Sequence, residues 1–581
     1  MVLLTTTLPK KLLEKKPPLL FTLGTALLLI GGGAIAYLNL SKQGQLRGDL
    51  PAGAQLVPTD ALMTLSVTTQ ESQWTKLRQF GTPETQREFD QLLLQWRDRL
   101  LTVNGYRYKR DIAPWVGGEA TLIFLPQTGA AQPPNGETPD KLSNNTQAVM
   151  LIPIADPAKA QALMSEPKDA SVSWVGRDYK SVTIQSIKTA AGEPLETAVL
   201  GTDWLVVSNA PKGVERIIDI HKGEVSLVEA PGYRRAMKSL PPTQTFARIY
   251  VNLPVATQTV GTDTPTGDAQ GLAATMSLTA EGLRFQGVNW LDADGEATYA
   301  ELTNGAGEMP RRLPKETLLM VSSGNFQQLW QSLSESNAPL LPFDPVSLKA
   351  GLQSTTGLSL EDDFLPWMNG EFAFGLLPPG QSLSAESEAA PAMDMGQLVL
   401  MVQVSDRDAA DATWAKLDEV VASRYRYRVE ESLVDGLPVT EWVSPFQGIT
   451  MSHGWLDGNV TFLGVGAPVA GAIAPRPAQS LAETTQFQTL TASTKDSNNG
   501  HFFIDLQSLN DLQDTLPIPQ LGPASANLTS AIQALGVTAT IQDEHSIYYD
   551  VSVQLAKGAR AGSLKEAAPA DTEDDAATVE E

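Results

Sequence analysis

Two pairs of acidic residues recur within one short pattern, and paired carboxylates are groups that general acid–base hydrolysis employs. The pattern is Asp-x-x-Pro-Trp-x-x-Gly-Glu, and its two copies lie about 250 residues apart. They comprise Asp111, Pro114, Trp115, Gly118 and Glu119, and then Asp363, Pro366, Trp367, Gly370 and Glu371. In a hydrolase, the Asp and Glu of a copy would act as the general acid and the general base.

The same pattern has a structural interpretation, which we favour. No nucleophile or histidine recurs with it, and Arg110 of the first copy is replaced by Asp362 in the second. In this interpretation the Asp caps a short turn, Pro-Trp packs beneath that turn, and Gly-Glu leads into an edge strand. We therefore predict no catalytic residues and a protein that is not an enzyme. Trp115 and Trp367 should both be largely buried.

Other constellations that carry chemistry are weak or missing in the sequence. The four histidines, His221, His453, His501 and His545, have neither metal-ligand spacing nor matching places in the two halves of the chain. There are no cysteines, which excludes disulfides and thiolate metal sites. Gly464-x-Gly466 resembles a phosphate loop only faintly, since no Lys-Ser or Lys-Thr follows it, and it predicts a turn from a strand to a helix. We predict no metal site and no cofactor.

Charge separates the beginning of the chain from the rest. The net charge is −24, yet the first 48 residues contain six basic residues and one acidic residue. Because those residues contribute +5, the remaining chain carries −29. So acidic a body repels phosphate backbones, and we predict no binding to nucleic acid.

The sequence predicts a transmembrane anchor over residues 19–40, which contain no charged residue. Four lysines precede it, so the positive-inside rule places residues 1–18 in the cytoplasm and the bulk of the chain across the membrane, in a periplasm or a thylakoid lumen. Cleavage after Ala36, within an Ala-Ile-Ala pattern, is the alternative. Residues 41–57 are predicted to form a polar stalk.

The repeated pattern belongs to a longer internal duplication. Further positions match at offsets of 250 to 257 residues: Pro58 with Pro314, Trp74 with Trp330, Asp156 with Asp406, Pro211 with Pro468, and Tyr233 with Phe487. We predict two tandem repeated units, residues 58–303 and 304–557. The tail, 558–581, is acidic and lacks aromatic residues, so it is predicted to be disordered.

Within each unit, alternating apolar runs predict strands and apolar residues three and four apart predict helices. In the first unit the strands include 62–67, 120–125, 148–154, 182–187, 246–253 and 283–291, and helices begin near Trp74, Pro83, Pro157, Pro211 and Tyr233. Exposed loops are predicted at 127–146, 258–271 and 379–396. This order predicts an α+β fold, with a mainly antiparallel sheet and helices on one face of each unit.

The anchor, the proline-led strand followed by Trp74, and the Pro-Trp-x-x-Gly-Glu motif together resemble a bacterial family. Its members, most of them cyanobacterial, carry one N-terminal anchor and are catalogued only as a domain of unknown function. The resemblance covers roughly residues 50–557. It implies an envelope or thylakoid protein and supplies no catalytic residues.

Three functions remain open at this point. The leading hypothesis is a non-enzymatic scaffold or assembly factor, anchored in a membrane by its N-terminal helix and bound to other membrane or lumenal proteins. The second is a carrier or binder of an apolar ligand, a lipid or a pigment, held between a curved sheet and its helices. The third is the hydrolase that uses the repeated Asp and Glu. The sequence identifies no small ligand.

Overall fold

The computed structural model describes residues 50–100, 106–126, 146–164, 174–188, 194–241, 245–260, 268–295, 297–299, 303–335, 345–379, 396–445, 450–466, 469–512 and 530–558. The predicted anchor at 19–40 lies outside these ranges. So do the predicted loops at 127–146 and 379–396 and the predicted acidic tail, apart from their terminal residues. Among the residues that the structure describes, no helix is both long and apolar enough to span a membrane.

The fold is α+β and is built on one large sheet in which every described pairing is antiparallel. The first ten strands are β1 Met63–Thr68, β2 Glu119–Pro126, β3 Thr146–Pro153, β4 Trp174–Tyr179, β5 Val182–Lys188, β6 Pro194–Leu200, β7 Trp204–Ser208, β8 Ala247–Asn252, β9 Ala269–Leu278 and β10 Gly282–Leu291. The next ten are β11 Leu319–Ser323, β12 Phe372–Leu377, β13 Gln397–Gln403, β14 Arg428–Val434, β15 Leu437–Val443, β16 Thr450–Leu456, β17 Val460–Val465, β18 Gly500–Asp505, β19 Ile532–Asp543 and β20 Ser546–Leu555.

The strand order reads the same from both ends of the sheet. From one end it is β4-β5-β6-β7-β3-β2-β1-β8-β9-β10. From the other end it is β14-β15-β16-β17-β13-β12-β11-β18-β19-β20. The two runs meet where β10 pairs with β20. Their outermost strands are β4 and β14.

Helices cover both faces of the sheet. They are α1 Glu71–Leu77, α2 Pro83–Leu100, α3 Pro157–Met164, α4 Pro211–His221, α5 Tyr233–Ser239, α6 Leu253–Val260, α7 Phe326–Glu335, α8 Pro345–Thr356, α9 Arg407–Ser423, α10 Val469–Ile473, α11 Thr485–Leu490 and α12 Leu506–Asp511. The prediction of helices on one face was wrong. In β2, Ile123 packs in the same core as α4 and α5, whereas its neighbour Leu122 packs in the core of Trp74 on α1. Because consecutive residues of this strand are apolar, both of its faces are buried.

Local sequence explains where several elements begin and end. Asp156 and Asp406 each accept a backbone N–H from three residues further on, Lys159 at 3.2 Å and Ala409 at 3.0 Å, so they are the N-caps of α3 and α9. Asp435-Gly436 forms the two-residue turn between β14 and β15, with φ of 48° and 86°. Positive φ at both central residues is what this hairpin turn requires.

Two predictions of irregular structure need correction. The start of the predicted polar loop at 258–271 is the end of α6, and its last residues belong to β9. The predicted stalk, where it is described from residue 50, packs into the first core through Leu56 and Val57, which are 4% and 1% exposed. The carbonyl of Val57 also accepts the N–H of Leu227 at 2.7 Å. Because residues 41–57 contain few apolar residues, the sequence did not predict this packing.

Candidate functional site

The first signature Asp closes a π-helical turn at Tyr108–Ile112. Asp111 is buried, and its Oδ2 accepts the backbone N–H of Arg107 at 2.7 Å while its Oδ1 accepts Nε of Arg110 at 2.9 Å. The indole N–H of Trp115 donates to the carbonyl of Asp111 at 2.7 Å. Trp115 is 2% exposed, so the turn is fastened to the core by its tryptophan.

The second copy repeats these contacts at the π-helical turn Leu360–Phe364. Oδ2 of Asp363 accepts the N–H of Ser359 at 2.9 Å, and the indole of Trp367, also 2% exposed, donates to the carbonyl of Asp363 at 2.7 Å. The cation here comes from α9, since Lys416 Nζ lies 2.8 Å from Asp363 Oδ1. That ammonium, with the N–H of Ser359, holds the pKa of Asp363 below its ordinary value.

The prediction for the pattern itself was right for the tryptophans and wrong for two other features. Pro114 and Pro366 are exposed and do not pack beneath the turn. The strands that the pattern leads into are not edge strands, because β2 pairs with β1 and β3, and β12 pairs with β11 and β13. Proline restrains φ on the outer side of each turn, and the indole alone enters the core.

Glu119 lies at the start of β2 and holds the segment that leads into the fold. Its side chain is 3% exposed, and Oε2 accepts the N–H of Ala52 at 2.9 Å. Arg248 of β8 is equally buried, lies 3.8 Å from Glu119 and donates to the carbonyl of Leu50 at 2.9 Å. Burial raises the pKa of Glu119, and Arg248 and the Ala52 N–H oppose that rise. The side chains of Glu119 and Arg248 therefore both form hydrogen bonds with the backbone of residues 50–52.

Glu371 holds the corresponding segment ahead of β11 with more backbone donors. Its Oε1 accepts the N–H groups of Gly307, Glu308 and Met309 at 2.7, 3.0 and 3.1 Å. Successive N–H groups that converge on one carboxylate form an anion-binding concavity, here filled by a side chain of the same protein. Glu371 is 4% exposed. With its lone pairs directed at backbone donors, this carboxylate is arranged to hold a segment and is poorly placed to accept a proton from a substrate.

A buried polar row that the sequence did not reveal crosses the sheet on the face of Glu119. Each member lies directly opposite the next on a neighbouring strand, except that the last two are joined by a hydrogen bond from the backbone N–H of His501 to the hydroxyl of Ser322. In order along the row, the members are Thr121, Ser66, Arg248, Thr275, Gln286, Asp550, Thr538, His501 and Ser322. The row binds backbone carbonyls of the covering segments, as Thr121 does with Ala52 at 2.8 Å and Thr538 with Thr491 at 2.8 Å. The local signals were charged residues within largely apolar strands, Arg248 in β8 and Asp550 in β20.

Two of the histidines occupy interior positions. His453 is 5% exposed, its Nε2 lies 2.9 Å from Asp418 of α9, and its ring stacks on Trp414 at 4.5 Å. His501 lies in the polar row with Nδ1 3.0 Å from the hydroxyl of Thr538, and burial lowers its pKa to about 4. His221 is exposed. Across the described ranges, no cluster of three or more His, Asp or Glu residues is arranged to hold a metal ion.

A surface pocket of about 410 Å³ lies apart from the signature residues. It is formed by the β5–β6 hairpin and the end of α4, and Thr183, Gln185, Thr197, His221 and Lys222 line it. Most of these side chains are exposed or half-buried, so the pocket is an open polar depression.

Comparison with known proteins gives a family and little else. Residues 22–555 match the model of the family described as "Protein of unknown function (DUF3352)". A search of curated proteins finds no match. Among solved structures, crystal forms I and III of TP0453 are similar at 10% identity over 43% and 42% of this chain and 83% and 80% of theirs, each with a TM-score of 0.22.

Proposed function

The chain belongs to the family described as protein of unknown function (DUF3352), and we propose that it is a non-enzymatic, membrane-anchored interaction protein, a scaffold or assembly factor. Its bulk would lie in the periplasm or the thylakoid lumen. The uncharged segment 19–40, preceded by four lysines, supports the anchor and this orientation.

The observation that carries the proposal is the exposed apolar surface at both ends of the sheet. Val175 on β4 is 65% exposed, and Leu433 on β14 is 75% exposed. Each lies on the outermost strand of its run, where backbone N–H and C=O groups on the outer side have no strand partner among the described residues. Sheet ends of this kind favour pairing with another chain.

As part of the same proposal, residues 58–303 and 304–557 are two tandem repeated units. The matched strand order supports this, with β1–β10 and β11–β20 in equivalent sequence from each end. The signature contacts support it too, because Trp115 and Trp367 make the same indole-to-carbonyl hydrogen bond. Two units with one outer hairpin each would offer two attachment points on one anchor.

Mild detergent extraction of the full chain from membranes, followed by crosslinking and identification of the captured proteins, tests the proposal. Wild type should capture specific membrane or lumenal partners, and a double variant with Val175→Asp and Leu433→Asp should lose them while keeping its thermal unfolding temperature. Isolation of the wild-type chain without any crosslinked partner would contradict the proposal.

A carrier of an apolar ligand is the second candidate, and one observation favours it. On the face opposite the polar row, Phe124, Met150, Phe502 and Val551 are only partly buried around a core shared by both strand runs. A lipid or pigment could complete the burial of such side chains. Organic extraction of the native, membrane-derived protein should then release a stoichiometric ligand, and an extract without one would exclude this candidate.

A further inference from the structure

The strand β14 forms one end of the sheet and differs from its counterpart β4 at the other end. Its described pairing is with β15 alone, in the register Arg428↔Val443 to Val434↔Leu437. Residues 428–431 and Leu433 are exposed. The outer edge of β14 thus offers a row of backbone groups flanked by accessible side chains.

The exposed side chains of β14 fall into two sets, because residues two apart share a face. Val429 and Leu433, 37% and 75% exposed, flank Glu431 on one face. On the other face Glu430 lies directly opposite Glu441 of β15. Like charges that face each other across a strand pair destabilise it.

This acidic end is only partly neutralised by its own residues. Arg428 Nη1 lies 2.9 Å from Glu430 Oε1, and both side chains are largely exposed. Ser432 donates to Glu441 at 3.2 Å. Among the described residues, Arg428 is the one cation within salt-bridge distance of these three carboxylates, and it contacts Glu430 but not Glu431 or Glu441. A further positive charge at this edge would relieve the repulsion.

The other end of the sheet has no such opposed carboxylates among the described residues. On β4, Arg177 lies opposite Ile184 and Asp178 lies opposite Thr183. Arg177 also lies 3.1 Å from Glu196 and 2.6 Å from Glu215, so both of those carboxylates contact a cation. An exposed apolar side chain is present at both ends, Val175 at one and Leu433 at the other, and the opposed Glu430 and Glu441 distinguish β14.

We propose that the outer edge of β14 accepts an extended, basic segment of a partner protein as an added antiparallel strand. Lysine or arginine side chains would face Glu430 and Glu441, and apolar ones would cover Val429 and Leu433. Main-chain hydrogen bonds supply the general affinity of such strand addition, and the alternate side chains supply the selectivity. A second copy of this chain is disfavoured, since pairing two β14 strands would bring their carboxylates together in a protein of net charge −24.

This inference rests on the proposed function and assigns one of its attachment points. Its test uses the full chain in detergent and a short peptide in which valine and lysine alternate. A matched peptide has glutamate in place of every lysine, and another carries N-methyl groups along one edge. Binding is followed by fluorescence anisotropy at several salt concentrations, because charge pairing should weaken as salt rises.

The lysine peptide should bind wild type, and the glutamate and N-methylated peptides should bind far more weakly. Charge reversal with Glu430→Lys and Glu441→Lys should weaken the lysine peptide at least about ten-fold. The matched double variant Glu84→Lys and Glu316→Lys, at two exposed carboxylates away from the sheet ends, should leave its binding unchanged. Equal binding of the glutamate peptide, no effect of the charge reversal, or an equal effect of the Glu84 and Glu316 variant would overturn the inference, as would self-association of the chain through β14.

The same variants separate this inference from the proposed function. If the charge-reversed chain still captures its membrane partners in wild-type yield, the assignment to β14 fails and the interaction function stands. If wild type captures no partner at all, the proposed function fails regardless of the peptide result.

Discussion

Gln286 of β10 and Asp550 of β20 lie directly opposite each other, and the Gln286 amide donates to Asp550 Oδ2 at 3.2 Å. This pair lies on β10 and β20, the two strands at which the two runs of ten strands meet. Arg284 adds a two-pronged contact to the same carboxylate, at 2.7 and 2.6 Å. Outward from the pair, Thr275 and Arg248 continue the polar row on one side, and Thr538 and His501 continue it on the other.

Asp550→Ala should destabilise the protein, because Arg284 and Gln286 then lose a shared acceptor beneath the covering segments. The Asp550 side chain is 1% exposed and that of Arg284 is 26% exposed. We expect the free energy of unfolding to fall by about 3 kcal/mol, which is the lower end of the range for variants that remove one partner of a buried ion pair. Denaturant unfolding of the full chain in detergent, followed by tryptophan fluorescence, measures it.

The control for this variant is Glu281→Gln. Glu281 and Lys557 form an ion pair of 3.1 Å between the ends of the same two strands, β10 and β20, but both side chains are about half exposed. Removing an exposed ion pair costs at most about 1 kcal/mol. Equal losses of unfolding free energy in the two variants would mean that the Asp550 contacts stabilise the protein no more than an exposed ion pair does.

Gly370→Ala should destabilise the second signature copy. A methyl group at this position would lie 2.5 Å from the carbonyl oxygen of Gln403 on β13, which forces the backbone of β12 or β13 to shift. Overpacking of this kind costs about 1–3 kcal/mol. Gly351→Ala, on the exposed face of α8 with open space around it, should instead stabilise by about 0.5–1 kcal/mol. A neutral Gly370→Ala would contradict the close approach.

His501 should make the protein less stable in mild acid. Burial lowers its pKa from 6.5 to about 4, so the unfolded chain takes up a proton at this site before the folded chain does. The loss therefore begins as the pH falls below the ordinary histidine value, is complete near pH 4, and amounts to about 3 kcal/mol. Unfolding free energies of wild type and His501→Gln across this range test it. Parallel pH profiles for the two proteins would contradict the assignment.

The sequence predicted the elements well because their signals are local. The alternating runs, the Asp caps at Asp156 and Asp406 and the Asp-Gly turn at 435–436 each act within a few residues. The buried state of Trp115 and Trp367 also followed from local recurrence, since a large apolar residue kept in both copies suits a core position.

The layering and the polar contacts depended on distant residues and were missed. Burial of both sheet faces follows from where α4, α5 and α1 return to the sheet, and the continuous apolar run of β2 was a local signal of it that the prediction of helices on one face did not use. Likewise, Glu371 meets donors 62 to 64 residues earlier, and Arg284 meets Asp550 266 residues later. Only the pairing of strands brings such groups together.

The repeated carboxylates hold the leading segments on the sheet, and amide hydrogen exchange at residues 307–309 tests this role most directly. In Glu371→Ala, the N–H groups of Gly307, Glu308 and Met309 lose their common acceptor. Their exchange should accelerate at least about ten-fold, while amides of the distant strand pair β5–β6 keep their wild-type rates. Unchanged exchange at these three amides in a folded variant would contradict the structural role and return the signature carboxylates to consideration as an active site.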